Sequence, residues 1–319
     1  MPNAITQQNR VAPWLGIGVQ GQWDNSIDAL KAANLDFDVR QEKLYWKREE
    51  KPTGPWSPVV YDEPAPMFGN VRNTDDKLLG CVTPQYKVIQ NRDAFSLIDP
   101  FVQGNDGSIT NVGMTEDGLV FMVARVQIAR SIGMEPYEIN LMATNSFNTR
   151  YPCQIIMVPI RIYCQNMYRK LMNDRVFLAK HTVAVNERLL AIASGNAVEK
   201  KVLAFQNVIE SYQGKHMSHR QLEALIAMLF PYPKEGGPRE QTYRLKVEEQ
   251  RERFEDQYFD APDNRKHQDT AFGFVNAYFD YLSHRNPTRE TSMAWADRRL
   301  SGLVSGMDVD TKTLHEALK

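Results

Sequence analysis

The feature that most constrains the fold is a change of periodicity in "VPIRIYCQNMYRKLM", which runs from Val158 to Met172. Before it, three long segments rich in β-branched and aromatic residues are separated by turn signals: 119–128, 137–146 and 153–163. From Cys164 onward, apolar residues recur at helical spacing. The sequence therefore predicts an α+β fold, with a mainly antiparallel sheet in the N-terminal and central part and a helical C-terminal half.

Shorter elements are predicted in the N-terminal part. Residues 24–37 indicate a short helix with Asp24 or Ser26 as N-cap, and 39–47 alternate as a strand does. Pro and Gly residues at 51–58 then punctuate a series of short antiparallel strands. The segment "NRDAFSLIDPFV" predicts one helix from Asn91 to about Phe101 that Pro100 ends.

Helices dominate the predicted C-terminal half, at 196–213, 218–230, 239–259, 270–284 and 291–302. The second opens with a Ser218–Gln221 capping box and stops at Pro231, and the charged third has few apolar contacts. We expect a mixed β-sheet domain at 1–195, which includes the strand-to-helix junction. A helical region at 196–319 should pack on it, with a linker at 231–238.

Composition excludes several simple functions. The formal net charge is −1, so no global positive field attracts nucleic acid or an anionic membrane. Three cysteines (Cys81, Cys153, Cys164) without a paired short spacing argue against a disulfide framework and indicate a reducing compartment. With no signal peptide and no apolar run long enough for a membrane span, we expect a soluble, cytoplasmic protein without a membrane partner.

Catalytic and metal-binding patterns are weak. The glycines of "GIGVQG" lack the preceding strand of a dinucleotide site. Cys164 at a helix start could combine with His181 and Asn166 as a nucleophile, but a buried core cysteine is the simpler interpretation. Histidine spacings supply two ligands at most for a metal. The sequence predicts no catalytic residue, no metal and no cofactor, and it favours a non-enzymatic role without deciding the matter.

Local charge is more informative than net charge. Between residues 150 and 220, eleven Lys and Arg residues stand against four Asp and Glu residues, with tyrosines interleaved. Cations along a phosphate backbone and aromatic faces against bases are what single-strand binding needs. The alternative is that these cations coat helices whose apolar faces point inward. The predicted nucleic-acid-binding residues are Arg161, Tyr163, Tyr168, Arg169, Lys170, Arg175 and Lys180.

Several segments together resemble the phage/plasmid-like protein family called domain of unknown function 932. They are 13–39, 86–102, 144–172, 180–189 and 270–285. The strongest part is Arg161 followed by Cys164, Gln165 and Asn166, and then the pair His181 and Thr182. The chain departs from the family pattern at "NSFNTR" and at Met167.

What the resemblance implies is limited to context. The family occurs in phages, prophages and plasmids and has no agreed reaction, so no catalytic residue is transferred. That context, with a sheet running into helices, suggests similarity to ring-forming single-strand annealing proteins. We therefore expect an oligomeric protein that binds nucleic acid, with single-stranded DNA annealing or recombination as the specific hypothesis. The alternatives are a host-takeover or anti-defence interaction protein without nucleic-acid binding, and an enzyme that uses Cys164, His181 or Asn166.

Overall fold

A computed structural model describes residues 12–50, 59–104, 106–126, 137–161, 175–181 and 197–284, together with Leu300 and Leu318. Its strands are β1 (Val19–Trp23), β2 (Val39–Glu50), β3 (Val59–Arg72), β4 (Leu78–Val82), β5 (Ser108–Met114), β6 (Leu119–Val126), β7 (Tyr137–Ser146), β8 (Cys153–Arg161) and β9 (Arg175–Ala179). Its helices are α1 (Ser26–Ala32), α2 (Asn91–Phe95), α3 (Asp99–Gly104), α4 (Ala197–Gln213), α5 (His219–Leu229), α6 (Glu240–Phe259) and α7 (Ala271–His284). The predicted α+β class is confirmed.

The larger sheet is a six-stranded antiparallel meander with the order β1-β5-β6-β7-β8-β9. Both of its faces are covered in the centre, and every residue of β8 is buried. One face packs in a core cluster shared with α1, α2, α4 and α7, while the other packs against Trp14, Ile17 and Leu300. Double-sided burial explains why the central strands read as nearly continuous apolar runs.

The smaller sheet has three strands in the order β2-β3-β4. β2 and β3 pair along their length, but β4 reaches only the part of β3 from Phe68 to Val71. Beyond that point β2 and β3 form a two-stranded extension, which we call the distal ribbon (residues 44–50 and 59–66). Its Tyr45 and Trp46 side chains are 59% and 50% exposed.

The long C-terminal helices form where the sequence predicts them. The predicted capping box is present at the start of α5: the Gln221 amide N–H reaches the Ser218 hydroxyl, and the Gln221 side chain accepts from the Ser218 N–H. α6 buries only Phe254 and Tyr258, which agrees with the expectation of few apolar contacts. The predicted helix at 291–302 lies outside the described residues except for Leu300.

Some local predictions are wrong. β9 follows Cys164, where an almost wholly helical chain was expected. Pro100 lies in the first turn of α3, where its missing N–H removes no helical hydrogen bond, so it begins a helix instead of ending one. Asn25 is the N-cap of α1, and Gln90 stands at the N-cap position of α2.

Candidate nucleic-acid interface

β9 forms one edge of the six-stranded sheet, and its cations face solvent. Phe177 and Ala179 point into the core, whereas Arg175 at the start of the strand and Lys180 just after it are exposed. Both side chains are therefore accessible to solvent, and their contact with nucleic acid stays a prediction. Tyr163, Tyr168, Arg169 and Lys170 lie outside the described residues, in the segment that leads from β8 to β9.

Arg161 does not belong to this surface, and its predicted contact with phosphate is wrong. The side chain is fully buried, and its Nη1 donates to Asp263 Oδ2 at 2.7 Å. Nη2 donates to the Asp263 carbonyl at 3.1 Å, and the guanidinium lies 5.8 Å from the Phe272 ring centroid. Arg161 therefore connects the end of β8 to the segment before α7, and its charge is already compensated.

A sequence signal for this burial was present. Arg161 ends a nine-residue strand whose other members are mostly apolar, as expected for a strand covered on both faces. Charged side chains are almost never fully buried unless they are paired, so a cation in such a strand indicates a buried partner. The identity of that partner was not accessible, because Asp263 is 102 residues away along the chain.

His181 closes the described part of the β9 segment and turns inward. Its ring stacks on Tyr86 with centroids 4.6 Å apart and planes 10° apart, and Nδ1 lies 3.3 Å from the Lys87 carbonyl oxygen. Burial lowers the pKa of His181, against the opposite effect of the backbone groups of Lys87 and Tyr151. Its companions in the family motif, Cys164, Gln165, Asn166 and Thr182, lie outside the described residues.

A further cation, Lys87, lies in the same region because its backbone contacts that of His181. The Lys87 N–H donates to the His181 carbonyl at 2.5 Å, so Lys87 and Lys180 emerge from adjacent backbone segments. Both side chains are exposed, and within the described ranges neither forms an ion pair. Lys87 was not predicted, because it lies outside the basic segment at 150–220.

A buried polar network holds the turn between β7 and β8 beside this region. The Tyr86 hydroxyl donates to the Ser146 carbonyl at 2.7 Å, and the Asn145 amide donates to the Ile89 carbonyl at 2.9 Å. Asn70 donates to the Phe147 carbonyl at 2.7 Å. These bonds connect the turn to β3 and to the segment before α2, so the backbone around His181 is firmly positioned.

Comparison with protein families gives one match. The family described as Domain of unknown function (DUF932) matches residues 78–303, which is more than half of the chain. The chain belongs to the DUF932 family. The match begins at β4 and includes β9, His181 and Asp263, while the similar stretch at 13–39 and the distal ribbon lie before it. No curated protein and no solved structure matches the chain.

DUF932 is a family of unknown function, so membership assigns no reaction to this chain. The Cys153 thiol is buried, and burial raises its pKa to about 12, so it is not a reactive nucleophile. Within the described ranges, no group of three or more His, Cys, Asp or Glu side chains is placed to hold a metal. In the same ranges no helix is long and apolar enough to cross a membrane.

Proposed function

We propose that this DUF932 protein binds single-stranded DNA along the β9 edge, as an oligomer that anneals or recombines strands. The setting we propose is the cytoplasm of a bacterium that carries a phage or plasmid. The observation that supports the proposal is the exposure of Arg175, Lys180 and Lys87 at one edge of the sheet. Arg169 and Lys170 add two more cations in the sequence segment between β8 and β9.

Electrostatics gives this surface its specificity for a polyanion. A protein that neutralises phosphates releases condensed counterions, so its affinity falls steeply with salt even when its net charge is near zero. Removal of Arg161 from the surface leaves the basic segment with a clear excess of cations. Tyr163 and Tyr168 remain the proposed stacking residues.

The test is fluorescence anisotropy with a labelled oligo-dT at low and moderate salt. We expect binding at low salt and a loss of affinity as salt rises. The variant Arg175→Glu/Lys180→Glu should weaken binding by roughly tenfold or more and should flatten the salt dependence. Absence of binding at low salt would refute the proposal.

A matched control carries the same change of charge elsewhere. Lys31 on α1 and Lys77 between β3 and β4 are both exposed, and α1 packs on β1 and β5 at the opposite side of the six-stranded sheet. The variant Lys31→Glu/Lys77→Glu should bind oligo-dT nearly as the wild type does. Equal loss in both double variants would show nonspecific attraction and not a β9 site.

A second candidate is a host-takeover or anti-defence protein that binds another protein. The surface of α6 favours it, because Tyr243 and Leu245 are 48% and 61% exposed on a helix rich in charges of both signs. Under this alternative, Tyr243→Ala/Leu245→Ala would abolish co-purification of a partner that persists after nuclease treatment. Binding to oligo-dT would then be absent.

A further inference from the structure

β2 is an open edge of the three-stranded sheet, and its first residue shows which way its backbone groups point. Gln90 donates to the Val39 carbonyl at 2.8 Å and accepts from the Val39 N–H at 2.9 Å, on the side away from β3. The preceding carbonyl, of Asp38, accepts from Asn73 on the β3 side. In a β-strand the N–H and C=O groups of one residue point to the same side, and successive residues alternate between the two sides. The backbone groups of Lys43, Tyr45 and Lys47 therefore also point away from β3.

Among the residues that the structure describes, the outward groups beyond the Gln90 contact have no hydrogen-bond partner. Within the described part of the chain, no hydrogen bond reaches the backbone of Lys43, Tyr45 or Lys47. The register shift between Lys43 and Tyr45 adds residues on β3 and leaves the alternation of β2 intact. An uncovered edge of this length is a template for another strand.

The charges around this edge select a protein partner and not a polyanion. Lys43, Lys47 and Arg48 are balanced by Glu42 on β2 and by Asp62 and Glu63 on β3. A surface without excess cations gains nothing from release of phosphate counterions. Exposed aromatic side chains beside balanced charges are typical of protein–protein contacts.

We propose that β2 pairs antiparallel with β2 of a second copy of this chain, about a two-fold axis at Tyr45. In this register each Tyr45 faces its own symmetry mate, and Lys43 of one copy faces Lys47 of the other. The backbone N–H and C=O groups of all these residues point away from β3. Each facing pair can therefore exchange both N–H···O=C hydrogen bonds of an antiparallel ladder. A two-fold contact of this kind is closed and makes a dimer.

The side chains of the other face support the same register. Glu42 of each copy lies opposite Arg48 of the other, and Leu44 lies opposite Trp46, on both sides of the axis. Opposite charges and apolar–aromatic pairs in direct register are the favourable cross-strand combinations. A register centred on Leu44 would oppose Arg40 to Arg48, and one centred on Trp46 would oppose Leu44 to Arg48.

Both members of the new charge pair already have exposed partners within one copy. Glu42 contacts Arg40 at 2.7 Å, with side chains 52% and 40% exposed, and exposed pairs of this kind contribute little and can be exchanged. Arg48 contacts Glu63 at 3.2 Å, but their side chains are 52% and 39% exposed, so water screens this pair. The unfavourable pair in the proposed register is Lys43 opposite Lys47. Asp62 lies across from Lys47 on β3 and offsets that repulsion.

The experiment exploits the two-fold symmetry and uses the full-length chain without nucleic acid. Analytical ultracentrifugation compares wild type, Glu42→Arg, Arg48→Glu and an equimolar mixture of the two variants. Each variant alone places like charges opposite each other twice, and we expect its dissociation constant to rise by roughly tenfold or more. In the mixture both charge pairs are restored, so dimers should return.

Two further variants guard against a failure to fold. Tyr45→Pro removes an N–H that points away from β3, so the monomer should keep its fold and lose the dimer. Glu63→Gln removes the intramolecular partner of Arg48 only and should leave the dimer intact. Circular dichroism checks the fold of each variant.

Three outcomes would overturn the proposal. A wild type that stays monomeric at roughly 100 μM removes the contact altogether. A dimer that Glu42→Arg, Arg48→Glu and Tyr45→Pro leave unchanged places the interface elsewhere. Two monomeric charge variants whose mixture also stays monomeric refute the register at Tyr45. Because the readout contains no DNA, these outcomes are separate from failure of the DNA-binding proposal.

Discussion

Arg161 joins β8 to the segment before α7 through its ion pair with Asp263. The variant Arg161→Met keeps an apolar stem of similar length but leaves the Asp263 carboxylate, only 18% exposed, without its cation. Loss of one partner of a buried pair costs about 3 kcal/mol of unfolding free energy. Urea denaturation followed by circular dichroism measures this loss.

Two further variants show whether the uncompensated charge of Asp263 causes the loss of stability. Arg161→Met/Asp263→Asn removes both charges and should recover part of the lost stability, because no carboxylate is left uncompensated. Lys180→Gln, at an exposed site just after β9, should change the unfolding free energy by less than about 0.5 kcal/mol. An Arg161→Met variant as stable as Lys180→Gln would contradict the buried pair.

His181 makes stability depend on pH near neutrality. Burial lowers its pKa in the folded state below the ordinary value of 6.5, so below that pH the unfolded chain binds a proton that the folded chain does not. Stability should therefore fall as pH drops through about 6.5 towards the folded-state pKa. His181→Phe keeps a ring against Tyr86, and its stability should vary less between pH 7.5 and pH 5.5, measured as a urea midpoint.

The exposed His219 serves as the control for that effect. Its side chain is 76% exposed and lies 3.5 Å from Glu223 on the same helix. His219→Gln should retain the wild-type loss of stability on acidification. If the two variants behaved alike, protonation of His181 would not be the cause.

At the scale of elements, hydrophobic periodicity and capping residues were sufficient to predict the long helices. The strand β9 and the ends of the short helices depend instead on strand pairing and on neighbouring elements. α5 was predicted from its capping box and apolar spacing, both of which are local. β9 is only "RVFLA", and it becomes a strand because Cys153, Ile155 and their neighbours on β8 offer it an edge. The role of Pro100 was predicted wrongly, because proline occurs both in the first turn of a helix and shortly after the end of one. The same limit hid the burial of Arg161, because its partner Asp263 is 102 residues away along the chain.

The packing of α7 depends on the absence of a side chain at Gly273. A Cβ atom there would lie 2.0 Å from the carbonyl oxygen of His267, so the preceding turn and the helix could not keep their positions. Gly273→Ala should cost about 2 to 3 kcal/mol of unfolding free energy, measured by urea denaturation.

A second glycine serves as a control that separates the steric clash at Gly273 from the general effect of replacing glycine by alanine in a helix. Gly104 ends α3, and a Cβ atom built there meets nothing within 4 Å. Gly104→Ala should leave stability unchanged or raise it slightly, since alanine restricts the unfolded chain. A neutral Gly273→Ala variant would show that α7 does not sit against the His267 turn.

At the scale of the whole molecule, the sheet and the C-terminal helices share one core. Phe205 on α4 is fully buried and contacts Tyr137 on β7 edge to face, with ring centroids 5.3 Å apart. The same cluster extends to Phe254 on α6 and Phe274 on α7. Sequence alone suggested a boundary near residue 195, and a shared core of this kind predicts that the two parts unfold together.

Phe205→Ala tests that coupling. The cavity should cost about 3 to 5 kcal/mol, whereas Leu203→Ala on the exposed side of α4 should cost far less. Far-ultraviolet circular dichroism reports mainly on the helices, and tryptophan fluorescence includes Trp14, which packs on the sheet. With one cooperative unit, Phe205→Ala shifts both denaturation curves equally. A shift in dichroism alone, with fluorescence at its wild-type midpoint, would show that the sheet folds independently of the helices.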